Sequence, residues 1–95
     1  MLHTLMRSPW QTDIRGMIML LSADDDLLLL QDGVLAAVEG NELLRALLQS
    51  PATVYVLQED AAARGIIGQI SDGVRKIDYN GFVELTARHQ QQLAW

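Results

Sequence analysis

Four carboxylates stand where apolar stretches of this chain end. Asp32 follows "LLLL", Glu59 and Asp60 follow "ATVYVL", and Asp78 follows "VRKI". If those stretches are parallel strands, all four acids share one sheet edge, the edge at which open α/β sheets bind ligands. Clustered carboxylate oxygens suit a hard cation such as Mg²⁺. The same residues have a plainer use: Asp32 and Asp60 can cap the helices that follow them, and Asp78 can act in the turn before Asn80. A phosphoacceptor pocket would also need acids after the first strand and a lysine near the end, and "MRSP" and "QQLAW" supply neither.

Other chemistry is sparse. The chain has no cysteine, which removes disulfides, thiolate metal sites and cysteine nucleophiles together. His3 and His89 are the only imidazoles and have no His or Cys partner at ligand spacing. His3 is expected to pack near the sheet, and His89 to meet the negative end of a helix dipole. Ser8, Ser22, Ser50 and Ser71 fall in caps and turns, outside any G-x-S-x-G setting. "GIIG" at 65–68 is no phosphate cradle, having two glycines and no strand attached. Met6, Met17 and Met19 read as core or interface filler. No catalytic, cofactor-binding or metal-binding residue is assigned, and no cofactor is expected. Trp10 and Trp95 are the candidate interface residues, because tryptophan concentrates at interface centres.

Composition narrows the class. Ninety-five residues make one domain, 1–95. A chain of 10.6 kDa should expose on the order of 5,500 Å² when folded. Hydrophobic residues make up 49%, and the mean hydropathy is +0.11, high for a domain with this much surface to cover. That excess favours a permanent interface with a partner, or a homo-oligomer of the isolated chain. The net charge is −5, and of the seven basic residues only Arg75 and Lys76 are adjacent, so direct nucleic-acid binding is not expected. No apolar run approaches the ~20 residues of a membrane span. "MLHTLMRSPW" lacks the charged lead and long apolar core of a signal peptide, so a cytoplasmic location is expected.

The elements that would position these residues alternate. "MLHTLM", residues 1–6, reads as a first strand. Ser8, Pro9 and Gln11 form a capping signature before a helix carrying Trp10, Ile14, Met17, Ile18 and Leu21 on one stripe. The Asp24-Asp25-Asp26 run is expected in a solvated loop. "LLLL" is a strand buried on both faces. "GVLAAVE" opens a helical pattern, and Asn41 caps a further helix that stops at Ser50-Pro51. "ATVYVL" is the clearest strand. A short helix follows with Gly65 at its stop, then "IIGQI", ambiguous between helix and loop. "VRKIDY" is a strand whose Arg75-Lys76 blunts a sheet edge. A last helix is expected to be capped at Asn80, and "QQLAW" can add an edge strand. The predicted fold is α/β: a single domain with a mainly parallel sheet of four or five strands and helices on both faces.

"MLHTL.RSPW", "LLLLQDGVLAAV.GN", "VYVLQEDAAARG", "GQIS", "IDY..FV.LT..H" and "QLAW", in that order, run nearly end to end. In these motifs the chain resembles the DsrH-like family within the DsrE/F/H superfamily, and in particular its TusB-like subunits. The resemblance implies a DsrEFH-like fold and assembly with TusC-like and TusD-like paralogues as two copies of a heterotrimer. In such complexes a cysteine of the TusD-like subunit accepts persulfide sulfur from a TusA-like carrier and passes it to a TusE-like carrier. The sulfur finally enters the wobble uridine of certain tRNAs. Some DsrH relatives carry an N-terminal cysteine; this chain has none, so no catalytic residue carries over. The implied role is a non-catalytic structural subunit. Two other classes stay open: a stand-alone Mg²⁺- or nucleotide-binding domain using Asp32, Asp60 and Asp78, and a small binding module docking through Trp10 and Trp95.

Overall fold

Five short strands lie side by side, all parallel, in the order β4-β3-β2-β1-β5. They are β1 (Leu2–Leu5), β2 (Asp26–Leu29), β3 (Thr53–Leu57), β4 (Arg75–Ile77) and β5 (Gln92–Ala94). The α-helices are α1 (Ile14–Met19), α2 (Glu42–Gln49), α3 (Gln58–Ala63) and α4 (Tyr79–Arg88). The computed structural model describes all residues from Met1 to Trp95 and exposes 5442 Å², close to the area expected from mass.

The strand order dictates which face each helix takes. From β1 to β4 the chain steps steadily across the sheet, and it then returns past β1 to lay down β5. Right-handed crossovers in opposite directions must pass over opposite faces. Ile14 and Met17 of α1, Leu44 and Leu47 of α2 and Ala61 of α3 accordingly join Leu5, Leu27, Leu29, Val54 and Val56 in a core of sixteen buried residues. On the other face Leu85 and Phe82 of α4 meet Leu2, Leu28, Leu30 and Leu57 in a smaller cluster. The leucine run of β2 is thus buried on both faces at the centre of the sheet, as its lack of alternation implies. Arg75 and Lys76 lie exposed on the edge strand β4, as expected of charge that blunts an edge.

The first predicted helix is broken in two. Ser8 does cap, its hydroxyl accepting from the Trp10 N–H, but only a 3₁₀ turn over Pro9–Gln11 follows. Thr12 is extended, and Asp13 recaps the chain by accepting from the Gly16 N–H at 3.0 Å. A Cβ at position 16 would collide with the Asp13 carboxylate, so this cap and Gly16 belong together. Trp10 therefore leaves the stripe of Ile14 and Met17 and is 68% exposed. "GVLAAVE" is not an α-helix either: Gln31–Ala37 is 3₁₀. Gly33 is pressed onto the Leu5 carbonyl, where no side chain fits, while Val34, Ala36 and Ala37 are all buried. Burial on several sides, not one stripe, decides this segment.

The cap of the last helix also differs. Asp78, not Asn80, accepts from the Gly81 N–H at 2.9 Å. Asn41 caps α2 through the Leu43 N–H at 2.9 Å, as its type and position indicate. The ambiguous "IIGQI" contains a 3₁₀ turn, Ile67–Gln69.

Candidate functional site

At the sheet edge where the strands end, the carboxylates are engaged one by one. Asp32 does not cap; its Oδ1 accepts from Nε and Nη2 of Arg64 at 3.1 and 3.0 Å. Asp60 does not cap its own helix; Oδ2 accepts from the Gln31 N–H at 2.6 Å. Gln31 has a φ of 51°, the only non-glycine residue with positive φ, and that bond helps hold it there. Asp78 is committed to α4, and Glu59 Oε2 accepts from the Tyr79 N–H at 3.3 Å. Glu59 Oε1 is buried without a hydrogen-bond partner. No three His, Cys, Asp or Glu side chains are grouped to hold a metal ion, so the structure does not bring Asp32, Asp60 and Asp78 together as a site. These acids fasten loops to one another.

A denser polar arrangement lies at the opposite edge. Asp25 and Asp26, expected in solvent, are largely covered; only Asp24 of the run is exposed. Their place directly before the leucine run is the signal, since a strand buried on both faces draws in the residues at its start. Asp25 accepts from the α-ammonium of Met1 at 2.9 Å, from the Ser22 N–H at 3.0 Å and faces His3 Nε2 at 3.0 Å. Burial works to raise its pKa, but those donors outweigh burial and bring it to about 2. Asp26 faces His89 Nε2 at 2.7 Å and accepts from Arg88 Nη2 at 2.8 Å. Arg88 also donates to the Tyr55 hydroxyl at 3.4 Å, and its pKa is raised, by Tyr55 first and Asp26 next. His89 thus follows α4 at its C-cap, held by a carboxylate and not by the helix dipole alone.

The two tryptophans sit in unlike settings. Trp10 stands out in solvent on its 3₁₀ turn. Trp95 follows β5, is half-buried, packs on the larger core and donates from Nε1 to His3 Nδ1 at 3.1 Å. His3 itself is 2% exposed within β1, near the sheet as expected. The structure does not join Trp10 and Trp95 in a contact with each other. A groove of about 540 Å³ opens at the start of α2, lined by Glu39, Asn41, Glu42, Arg45 and Ser71 among others. Its one hydroxyl, on Ser71, donates to nothing in the groove and accepts from the Gly73 N–H at 3.2 Å.

The arrangement defines a small open-sheet α/β protein whose polar residues tie its own segments together. The sequence pattern described as "DsrH like protein" fits residues 7–92, and the chain belongs to the DsrH-like family. It is 58% identical to Protein TusB of Shigella dysenteriae serotype 1 and to Protein TusB of Escherichia fergusonii, over all 95 residues and the whole of each relative. Protein TusB of Escherichia coli O139:H28 is 57% identical over the same span. The resemblance read from the motifs is therefore correct. Among solved structures, the ychN protein from E. coli superposes with a TM-score of 0.76 over 99% of this chain and 97% of that one, at 18% identity. Protein Tm0979 from Thermotoga maritima does so with a TM-score of 0.69 over 96% and 97%, at 28% identity. The first of these speaks to fold alone, and both support the parallel α/β architecture.

Proposed function

We propose that this chain is a non-catalytic structural subunit of a cytoplasmic sulfur-relay complex, assembled with TusC-like and TusD-like paralogues. The complex receives persulfide sulfur from a TusA-like carrier and hands it to a TusE-like carrier, toward 2-thiouridine at the tRNA wobble position. One observation carries the reading: a chain matched end to end by relatives named Protein TusB has no cysteine at all. Sulfur relay proceeds by attack of a thiolate on a persulfide, so the thiolate belongs to another subunit, here the TusD-like one. The chain's part is to hold that subunit in a competent assembly.

Its surface supports this role. Trp10, Met19, Leu20, Tyr79 and Val83 are large apolar side chains left mostly in solvent. Trp10 is assigned to a partner contact. Trp95, half-buried after β5, is assigned to a second contact through its exposed part. The net charge of −5 and the scattered basic residues fit a subunit that does not touch tRNA itself.

The role is tested by following persulfide transfer to a TusE-like carrier with the TusC-like and TusD-like chains, with and without this subunit. Transfer should need this chain and also the cysteine of the TusD-like chain. Full transfer without this chain would contradict a scaffolding role.

A further inference from the structure

We propose that His3 is a proton-sensitive latch: the neutral imidazole holds the Trp95 indole and the C-terminal strand β5 against β1, and protonation frees them. The geometry fixes the proton on the ring. An indole N–H can only donate, and Trp95 Nε1 lies 3.1 Å from His3 Nδ1. Nδ1 must therefore offer its lone pair, which leaves the single proton on Nε2, aimed at Asp25 Oδ2 3.0 Å away. The two rings lie nearly parallel, 22° apart with centroids 6.3 Å apart.

A second proton can enter only at Nδ1. It would set N–H against N–H and abolish the acceptor of the indole. The Asp25 carboxylate gives the resulting imidazolium a counterion, so protonation is tolerated while the indole bond is not. Asp25 is shared with the Met1 α-ammonium at 2.9 Å, the one other charged group joined to this pair. In the sheet His3 stands beside Leu27 of β2 and Leu93 of β5. On the same face α1 buries Ile14 and Met17 and leaves Arg15 exposed, and β5 consists of Gln92, Leu93 and Ala94.

The segment leading into β5 is held separately, by Arg88 and the titratable His89 on Asp26 at 2.8 and 2.7 Å. The strand itself is three exposed residues on the sheet edge, bonded on one side only, with the Leu2 N–H on Gln91 O at 3.0 Å and the Trp95 N–H on Thr4 O at 2.8 Å at its ends. Such an edge opens locally at small cost, and the indole bond is the one side-chain hydrogen bond that adds to the packing of Trp95 on the core. Opening uncovers the β1 edge and presents a tryptophan to solvent.

The test is nitrogen-15 NMR of the full chain between pH 8 and pH 5, the range in which imidazoles titrate. A Trp10→Phe variant assigns the two indoles, and His89→Gln separates the two histidines. At pH 8 His3 should be the Nε2–H tautomer, with a Trp95 indole N–H protected from solvent exchange. On acidification His3 should gain its proton and Trp95 should lose about tenfold of its protection, with far-ultraviolet circular dichroism retained. His3→Phe should leave Trp95 unprotected at both pH values. An Nδ1–H tautomer at pH 8, a His3 that does not titrate in this range, or a Trp95 whose protection is unmoved as His3 titrates would each overturn the latch.

Discussion

Asp25 carries more of this fold than any other charged residue, gathering the chain's α-ammonium, a loop N–H and a buried imidazole on one carboxylate. Its pKa is lowered from 3.8 to about 2 in the folded state. Between those values the unfolded chain binds more protons than the folded one, so the stabilisation is complete above pH ~4 and is lost as the pH falls through about 2. Asp25→Asn should cost about 2 kcal/mol at pH 6, the scale of a charge-assisted hydrogen bond. In urea melts the gap between wild type and variant should close as the pH is lowered toward 2.5. A gap that stays constant would mean that the carboxylate charge is not what holds these donors. The sequence placed the acid run in a solvated loop: Asp24 and Asp25 do lie outside the strand, but Asp24 alone is exposed, and Asp26 opens β2. What it could not convey is which acids lie beside the paired start of a central strand, because their histidine partners are 22 and 63 residues away in the chain. The same distance hid the bond between Trp95 and His3, although both residues stood out by type.

Strands were legible because their burial is two-sided and local composition records it. "LLLL" and "ATVYVL" became β2 and β3, with β2 starting one residue early at Asp26 and β3 one residue late at Thr53. Helices were legible where a cap and a stripe agreed, as at Asn41 and α2. They were misread where two caps compete within six residues, Ser8 and Asp13, and where a segment is buried on several sides, as in Gln31–Ala37. The first case yields a sign prediction. Gly16→Ala gains about 1 kcal/mol of helix propensity but displaces the Asp13 cap, which is worth about as much. The substitution should therefore be close to neutral in wild type and stabilising by about 1 kcal/mol in an Asp13→Ala background. Equal effects in both backgrounds, measured by thermal melting, would show that cap and glycine act independently. The carboxylates at the strand ends follow the same lesson. Their position at one sheet edge was readable, while their bonding to Arg64, Gln31, Gly81 and Tyr79 depended on which loops meet there.

The molecule as a whole has one well-covered face, one face covered by α4 alone, and a surface that leaves several large apolar side chains in solvent. It belongs to the DsrH-like family and has no thiol to carry sulfur. The proposed role is one of assembly. The most direct measurement is therefore the native mass of this chain purified after co-expression with the proposed TusC-like and TusD-like partners, set beside the chain expressed alone. A stable species containing all three chains in equal amounts is the expected result, and Trp10→Ala should weaken it without changing the fold of the isolated chain. A chain that remains a free monomer in the presence of both paralogues would contradict assembly as its function.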